Sequence, residues 1–500
     1  MTKVCFINPN TIFQKSDPFT TGIVYMPIGL AYAVAIAKEN NVPFQLIDAF
    51  GEDPNSSTIE GNFILLGLAS EEVVKRISDD VNIVIIYANQ LTNTISILAI
   101  IQQIKLHQKK VKICIMENTQ AVTAYNLQEV ANEFFKNGVD ALIIGEVENS
   151  LVKYLEYIDS DFNGIAPEGL LTKNQDNLSK RAKNFIVDLD RLPFPAWEEF
   201  PLDNYWNLGY GHGPVQSEKY LPLLTSRGCP YPCGFCVVPS TNLRRWRSRT
   251  PENVVDEIEY LKNKFGVKEF HIEDLDPTIN DSRTRNISTL LIQRNLGIKW
   301  KIVAGTKVET IKNEETVALM AKSGCVYVSI SPESGSSTLL ARMNKPFDLA
   351  KALTITKSCI KNHIKVQACF VLGYPGETNE DLRKTQKLIR KLSIFGIDEI
   401  AIFVISPVPG SSIFDKFDLT DINLSQLNFS PTWRTDYKKL NKLRIKLYLQ
   451  FILFKAIFHP IKILLNIYRF LMRRFETKME MTPYRAFKYR DIINNHLNQK

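Results

Sequence analysis

The sequence of 500 residues lacks the two features that direct a chain into or across a membrane. It begins MTKVCFINPN, with no basic region followed by an apolar stretch, so we expect no secretory signal. No run of about 18 apolar residues is free of charge, which excludes an ordinary membrane span. The eight cysteines are not spaced like an extracellular disulfide framework, because three are crowded together and five are scattered through apolar runs. These absences favour the reduced cytoplasm as the location of the protein.

The composition and charge narrow the class of protein further. Hydrophobic residues make up 45% of the chain and charged residues 23%, which excludes a disordered or collagen-like protein. The net charge of +8 is unevenly distributed, because residues 434–500 carry 16 basic and 4 acidic residues and residues 1–433 sum to −4. This distribution favours a local anionic surface as a partner of the C-terminal region. No nucleic-acid partner is expected, since the basic run LRRWRSR (243–249) is too little for one.

Residues 1–158 alternate short apolar runs with helical patterns. The apolar runs are KVCFINP, FQLIDAF, NIVIIYA, KICIME and DALIIGE. Continuous apolar strands separated by helices predict a parallel sheet covered on both faces, an α/β fold of the doubly wound, Rossmann-like type. No GxGxxG follows the first strand, which argues against a dinucleotide ligand. A structural or partner-docking domain is the alternative interpretation.

Three cysteines on one short segment are the strongest chemical signal. Cys229, Cys233 and Cys236 form C-x3-C-x2-C directly after the apolar run LPLLTS. Thiolates bind soft metals, and three of them can hold an iron–sulfur cube while one iron stays open for a small molecule. A fourth cysteine at similar spacing is missing, and no nearby histidine completes a zinc set. A zinc knuckle or plain buried thiols are therefore the weaker alternatives.

Six strand–helix repeats follow from LPLLTS onward. They predict a partial (β/α)6 barrel of the TIM type over residues 218–415, with its chemistry at the carboxyl ends of the strands. The polar residues at predicted strand ends are Glu273, Asp274, Asp276, Ser331, Glu333 and the loop 373–377. Carboxylates in such places accept hydrogen bonds from amines or ribose hydroxyls, although helix capping is an equally ordinary role.

The cysteine spacing, with an aromatic residue before the last cysteine, resembles the radical S-adenosylmethionine (SAM) superfamily. The resemblance implies that Cys229, Cys233 and Cys236 bind a 4Fe-4S cluster whose open iron chelates SAM. It places Phe235 near the adenine of SAM. It also implies SAM contacts for Glu273, Asp274, Ser331 and Glu333.

Further stretches resemble the cobalamin-binding branch of that superfamily. They are PIGLAYAVAIAKEN, VDALIIGEVENSLVKYLE, the linker-like DLDRLPFPAWEEFPLDNYW, SPESGSSTLLARMNK and FVLGYPGETNEDL. The resemblance covers residues 3 to about 415 and looks closest to the methylases of unactivated carbon, which include phosphonate methylases. It implies bound cobalamin in the N-terminal domain, with contacts from Pro9, Pro27, Gly29, Asn89, Gln90, Asn118, Gly145 and Glu146.

The sequence departs from this branch at two points. The motif D-x-H-x-x-G, whose histidine ligates cobalt, is missing, and His107 has the wrong neighbours. The implied cobalamin would therefore have no protein histidine on cobalt. Glu117 and Asn118 stand where the branch usually has small glycines, and we expect them to crowd the corrin ring.

The implied function is that of a cobalamin-dependent methyltransferase acting on an unactivated carbon. A radical SAM oxidative cyclase or other rearrangement enzyme of the same branch is the first alternative. A cluster-bearing binding or electron-transfer protein is the alternative outside the enzymes. The expected partners are a one-electron donor such as flavodoxin or ferredoxin, and a small-molecule or lipid-linked substrate.

The remaining segments are a linker at 159–217 and a basic, amphipathic helical region at 416–500. On a helical wheel, one stripe of residues 434–475 collects Arg444, Lys455, Lys462, Arg469 and Arg473. Pro460 is expected to divide this segment into two helices. One interpretation is a helical cap on the barrel with a solvated basic stripe. The other is peripheral contact with the inner face of a membrane, with the stripe at the headgroups and Phe451 and Phe458 in the acyl boundary.

Overall fold

The computed structural model describes residues 2–17, 19–107, 109–173 and 183–498. Residues 174–182, which belong to the predicted linker, lie outside the described residues, as do residues 499–500 of the predicted C-terminal region. Two α/β domains, each with a mostly parallel sheet, follow one another along the chain. Three C-terminal helices come after them.

The first sheet is built from the five apolar runs that the sequence predicts as strands. Its strands are β1 (Val4–Asn8), β3 (Phe44–Asp48), β6 (Ile83–Ala88), β7 (Lys112–Glu117), β8 (Ala141–Ile143) and β9 (Leu170–Thr172). Their order is β3-β1-β6-β7-β8-β9, and all neighbours pair in parallel except β8 and β9. The predicted doubly wound sheet is confirmed, and β9 adds a strand from within the segment predicted as a linker.

A second, small antiparallel sheet of this domain escaped prediction. It consists of β2 (Thr11–Gln14), β5 (Phe63–Leu66) and β4 (Ser57–Glu60), with β5 in the middle. Its outer strands mix polar and apolar residues without a clear alternation, so they give little signal. The helices of the domain are α1 (Ile28–Glu39), α2 (Ala49–Glu52), α3 (Ser70–Arg76), α4 (Thr94–Leu106), α5 (Ala131–Lys136) and α6 (Leu151–Asp159). Helix α7 (Leu202–Asn207) leads towards the second sheet.

The second sheet has six parallel strands in sequence order, as six strand–helix repeats predict. The strands are β10 (Tyr220–Leu223), β13 (Glu269–Ile272), β14 (Lys299–Thr306), β15 (Cys325–Glu333), β16 (Lys365–Leu372) and β17 (Glu399–Val404). Among the described residues, β10 and β17 do not pair with each other, so the sheet is open, as a partial barrel requires. A two-stranded ribbon, β11 (Ser226–Arg227) with β12 (Arg247–Ser248), encloses the cysteine segment.

The helices of the second domain carry ordinary start and stop signals. They are α8 (Val238–Thr241), α9 (Pro251–Phe265), α10 (Asp281–Gln293), α11 (Glu314–Lys322), α12 (Ser337–Arg342), α13 (Leu349–Lys361) and α14 (Asn379–Phe395). Thr378 and Asp381 form a capping box at the start of α14, and Gly396 ends it in the left-handed conformation at φ +85°. Such local signals explain why the repeats are readable from the sequence.

Three C-terminal helices connect the two domains. They are α15 (Tyr437–Phe458), α16 (Pro460–Leu471) and α17 (Lys478–Asn498). Helix α15 packs along α14 and β17, whereas α17 reaches the N-terminal domain, where the ring of Tyr489 stacks on Phe13 at 4.2 Å. Within the described residues no single helix is long and apolar enough to cross a membrane. The pair α15–α16 meets the same test of length and composition only when taken together, and it is bent by 116°.

The predicted break at Pro460 is confirmed, but the predicted orientation of the basic stripe is wrong. Arg444 pairs with Asp17 at 2.8 Å, and Arg469 pairs with Glu476 at 2.8 Å. In the same way Lys455 donates to the carbonyl of Asp398, and Lys462 lies 3.2 Å from the Asp398 carboxylate. Of the five stripe residues only Arg473 is exposed. The stripe faces inward because loops of both domains offer carboxylates and carbonyls there, and the apolar side of the helices faces out.

A buried ion network joins the two domains beside the cysteine segment. Arg227, at the end of β11, lies 2.7 Å from Glu148 and 3.6 Å from Glu146. Arg247 on β12 holds Glu146 with two nitrogens, at 2.7 and 2.8 Å. Burial raises the pKa of Glu146, but Arg227 and Arg247 outweigh that effect and lower it. The four charges therefore fix the base of the cysteine segment against the end of β8.

Replacing Arg227 with Met should strongly destabilise the protein. The substitution leaves the buried Glu148 carboxylate without its cation, which costs about 3–5 kcal/mol in comparable buried pairs. The midpoint of thermal unfolding should fall by several degrees. Arg191→Met is the matched control, because the Arg191–Asp188 pair is exposed and should contribute about 0–1 kcal/mol. Equal midpoints for the two variants would show that the network contributes nothing to stability.

Candidate functional site

One cavity of about 850 Å³ includes the carboxyl ends of the parallel strands and extends back along the sheet to Gln367 and Glu399, near the starts of β16 and β17. It is lined by the cysteine segment, by the loop after β13 and by residues of β14 to β17. The opposite wall comes from loops of the N-terminal domain, and helices α15 and α17 close one side. The carboxyl ends of parallel strands are where α/β folds of both types place their ligands. The cavity is therefore the candidate site.

Cys229, Cys233 and Cys236 all line this cavity and are partly buried. Gly228 precedes them at φ +81°, and a side chain there would collide with the carbonyl of Arg245, so the tight entry to the segment requires glycine. Burial raises the pKa of the Cys229 thiol to about 12 and also raises the pKa values of Cys233 and Cys236. The thiols are thus held protonated until a bound metal cation stabilises the thiolates.

The donor set fits an iron–sulfur cluster. Three soft thiols lie on one wall, and Cys236 Sγ accepts a hydrogen bond from the Val238 N–H at 3.4 Å. Hydrogen bonds to cysteine sulfur and an apolar surround are features that clusters use. In the described part of the chain, no three His, Cys, Asp or Glu side chains are grouped closely enough to hold one metal ion.

A buried cation lies directly beside the cysteines. Lys345 Nζ lies 2.7 Å from Glu333 Oε1 and 3.2 Å from Ser331 Oγ, and it is 5.8 Å from the centre of the Phe235 ring. Burial lowers the pKa of Lys345, but attraction to Glu333 and Cys233 outweighs it and raises the pKa. The cavity is lined by all five of these side chains, namely Lys345, Glu333, Ser331, Phe235 and Cys233. The structure thus brings together Phe235, Ser331 and Glu333, which the family resemblance implies as SAM contacts.

The backbone at Glu333 is strained. Glu333 has φ +56°, a left-handed conformation that is costly for a residue with a side chain, and the pairing of β15 with β16 shifts register there. The strain turns the carboxylate into the cavity, where Lys345 holds it.

The acidic residues after β13 have different surroundings. Glu273 lines the cavity, and its carboxylate lies 2.6 Å from Nδ1 of His212, whose ring packs on Tyr25. The pKa of His212 is lowered, because burial outweighs the attraction of Glu273. Asp276 also lines the cavity and accepts from the Thr306 hydroxyl at 2.6 Å. Asp274 does not line it, since its oxygens accept from the backbone and hydroxyl of Thr225 at 2.7 and 2.6 Å.

The N-terminal wall of the cavity is made of amide and tyrosine side chains. Asn89 and Asn118 line it, and Asn118 Nδ2 donates to Asn89 Oδ1 at 3.0 Å. Gln120 connects this wall to the cysteine segment by accepting from the Gly228 N–H at 3.1 Å. Glu117 does not crowd the wall, contrary to expectation. Its buried carboxylate turns inward to Lys183, 2.9 Å away.

The other implied cobalamin contacts do not line the cavity. They are Pro9, Pro27, Gly29, Gln90, Gly145 and Glu146. Gly29 gives the hydroxyl of Tyr87 room to approach, and Tyr87 itself lines the cavity. Gly145 donates to Glu117 at 2.8 Å, and Glu146 belongs to the interdomain ion network. Of these residues, Gly29 thus shapes the wall from behind, through Tyr87.

Comparison with known proteins agrees with this geometry. Residues 223–389 match the family described as the Radical SAM superfamily. Residues 223–389 therefore form a radical SAM domain, and the protein is an enzyme, as the sequence predicts.

Methyltransferases and cobalamin enzymes are among the proteins that this chain is similar to. The chain is 26% identical over 455 residues to cytidylyl-2-hydroxyethylphosphonate methyltransferase of Streptomyces wedmorensis, covering 82% of this chain and 80% of that protein. The radical SAM methyltransferase TsrM from Kitasatospora setae, solved with cobalamin and a 4Fe-4S cluster, aligns with a TM-score of 0.61 at 16% identity, covering 83% of this chain and 74% of that one. The cobalamin-dependent radical enzyme OxsB, solved with aqua-cobalamin, aligns with a TM-score of 0.61 at 16% identity, over 89% of this chain and 56% of that one. The predicted resemblance to methylases of the cobalamin branch is confirmed.

Sequence analysis missed several residues of the cavity. Lys345 ends the stretch SPESGSSTLLARMNK, so a basic residue close behind a strand-end carboxylate was the available signal. Gln120, His212 and the cavity residues of α15 and α17 gave none, because they meet the site only through tertiary packing.

Replacing Cys229, Cys233 or Cys236 with Ala should abolish the brown iron–sulfur chromophore of anaerobically prepared protein. Each variant removes one of the three thiolates on the cavity wall. Cys369→Ala is the matched control, because Cys369 lines the same cavity outside the segment and should leave iron content unchanged. Iron and sulfide analysis with visible absorbance is the measurement. A cysteine-segment variant with full iron content would contradict the assignment.

Proposed function

We propose that this protein is a cobalamin-dependent radical SAM methyltransferase that acts on an unactivated carbon of a small molecule. One observation carries the proposal. A single cavity is lined on one side by the three cysteines and on the other by the N-terminal loops that follow β6 and β7. Two cofactors that must act on one substrate need such a shared chamber, because the chemistry depends on alignment. When bound, the cluster and cobalamin supply radical generation and methyl transfer.

Roles for the residues near the cysteines follow from their placement. Cys229, Cys233 and Cys236 would hold the cluster. Glu333, oriented by Lys345, would accept from a ribose hydroxyl or amine of SAM, and Ser331 would support it. Phe235 would pack near the adenine. Because the Glu273 carboxylate already contacts Nδ1 of His212, it would contact SAM only next to the His212 ring. Asp274 would hold the strand end rather than SAM itself.

For cobalamin, the amide wall offers suitable partners. Asn89 and Asn118 would meet the amide side chains of a corrin, since amides both donate and accept hydrogen bonds. Of the described histidines, only His212 lines the cavity, and its Nδ1 is engaged with Glu273. His107 is exposed on the far end of α4. A cobalamin without a protein histidine on cobalt stays a prediction, because a contact at Nδ1 leaves Nε2 of His212 able to bind a metal.

Product analysis with reduced protein tests the proposal. Anaerobic protein loaded with iron, sulfide and cobalamin should convert SAM to both 5′-deoxyadenosine and S-adenosylhomocysteine. Protein loaded without cobalamin should form only 5′-deoxyadenosine, because no methyl acceptor is present. An oxidative cyclase would give no S-adenosylhomocysteine, and an electron-transfer protein would give neither product. Either of these last results would contradict the methyltransferase assignment. The one-electron donor and a cytoplasmic location stay predictions.

We also propose peripheral membrane contact through the apolar side of residues 434–475, which includes the exposed Phe458 but not the buried Phe451. Thirteen of the 22 large hydrophobic side chains exposed among the described residues lie between Ile445 and Met472. Ile461, Leu464 and Leu471 are 70%, 66% and 72% exposed, and α16 buries no residue at all. Monomeric soluble proteins rarely expose an apolar surface of this extent.

The charge around this apolar face selects an anionic lipid surface. Helices α15 and α16 contain no acidic residue. Exposed basic residues surround the face, namely Lys438, Lys439, Lys442, Lys446, Arg390, Arg473, Arg474 and Arg490. Each basic residue near an anionic membrane contributes about 1 kcal/mol. A second copy of the chain would bring the same basic rim to the contact, so it is the less suitable occupant.

Placing two glutamates on the apolar face should release the protein from membranes. Ile457→Glu with Leu464→Glu should weaken binding to phosphatidylserine vesicles at least roughly tenfold, because two apolar side chains no longer leave water. The matched control is Leu106→Glu with Ile165→Glu, because both side chains are also exposed but lie on the N-terminal domain and on the linker that follows it. Co-sedimentation measures binding, and iron content checks the fold. Wild-type protein that never sediments with such vesicles would refute the contact.

A further inference from the structure

The charged groups that line the cavity are largely paired with one another. Glu333 pairs with Lys345, and Asp17 pairs with Arg444. Glu273 lies against His212. Glu399 accepts from the Tyr327 hydroxyl at 2.5 Å and the Met479 N–H at 2.6 Å, and burial raises its pKa. Glu399 and Glu273 also attract Lys478 from a distance, without a direct ion pair.

Two basic side chains of α17 line the cavity without a carboxylate partner. Within the described residues, Arg485 and Lys478 form no ion pair with a carboxylate, although both line the cavity. Arg485 is 1% exposed, and its Nη2 donates to the carbonyl of Phe19, while Nε and Nη1 have no partner. Lys478 donates only to the carbonyl of Val303, at 2.9 Å. A buried guanidinium with two free donors is costly unless something binds it.

Arg444 supplies a third hydrogen-bond donor without a partner. Arg444 is 7% exposed, and its Nη2 holds Asp17 while Nη1 has no partner. Arginine presents its donors in a planar fork that matches the oxygens of a carboxylate or phosphate. The side of the cavity formed by α15 and α17 is therefore prepared for an anion.

Apolar residues make up much of that side and continue to the outer surface, beside the polar Glu399, Asn441 and Thr482. Ile400, Ile402 and Phe403 line it from β17. Ile445 and Ile452 on α15 also line it, and both belong to the exposed apolar face, at 51% and 41% exposure. An apolar path thus leads from the outside of α15 to the free cations.

We infer that the C-terminal helices build a substrate subsite for an anionic group, a phosphate or carboxylate, held by Arg485 with Lys478 and carried on an apolar body. The inference rests on the proposed function, because it concerns the substrate of the same cavity. Arg485 and Lys478 lie at the end of the chain, away from the cysteine segment. They select the substrate by its charge, and the apolar side accommodates the remainder.

Binding of octyl phosphate to the full-length protein tests the subsite. The dissociation constant is measured by calorimetry without SAM or reductant, so the result does not depend on turnover. Octyl phosphate should bind, octanol should bind more weakly, and Arg485→Gln should weaken octyl phosphate binding about tenfold through the lost charged hydrogen bonds. Arg191→Gln is the matched control, because Arg191 is exposed, lies outside the cavity lining and outside the basic rim of the C-terminal helices, and should leave binding unchanged.

A second variant guards against misfolding of the first. Lys478→Met keeps a side chain of similar length, and it should also weaken binding while iron content stays normal. Octyl phosphate binding tighter than inorganic phosphate would indicate a lipid-type substrate, whereas equal affinity would indicate a soluble one, and both support an anion subsite. Unchanged binding in Arg485→Gln and Lys478→Met would overturn the inference. That result would leave the methyltransferase proposal standing, because 5′-deoxyadenosine formation tests it separately.

Discussion

The buried Arg227 guanidinium between Glu146 and Glu148 is the interaction on which the geometry of the site depends. Arg227 stands two residues before Cys229, so its position fixes where the cysteine segment begins. Both carboxylates follow β8, at the ligand-binding edge of the N-terminal sheet. Buried ion pairs of this kind contribute little net stability, but they specify one arrangement, since any shift leaves a charge without its partner. The network therefore sets the distance between the cysteines and the N-terminal wall.

That constraint explains the roles of residues that seem unrelated in the sequence. Gln120 reaches from the N-terminal wall to the Gly228 N–H, and Tyr25 packs on His212, so each loop contacts the opposite domain close to the cavity. The C-terminal helices complete the enclosure, because Arg444 and Tyr489 contact Asp17 and Phe13 of the first domain. Protein walls on three sides lower the dielectric constant of the cavity, which strengthens the electrostatic interactions within it.

Local patterns made the parallel strands and the cysteine segment predictable. The five apolar runs of the first sheet and the six of the second are signals contained within a few residues each, and so is C-x3-C-x2-C. The small sheet of β2, β4 and β5 escaped, because its edge strands lack a regular alternation. The implied contact of Glu146 could not be judged without its two arginine partners, which lie about 80 and 100 residues away. Long-range partners of buried charges are what a single sequence hides.

The orientation of the C-terminal helices also depends on long-range partners of charged residues, which the sequence does not show. A stripe of basic residues on an apolar helix can face the solvent or face the protein. The sequence favours the first orientation, because it solvates the charges. The structure takes the other, because Asp17, Glu476 and the loop at Asp398 supply partners for Arg444, Arg469, Lys455 and Lys462. Pairing the stripe inward leaves the apolar side outward and at the same time places Ile445 and Ile452 on the cavity wall. One set of ion pairs thus decides both where the apolar face of the protein lies and how the cavity connects to it.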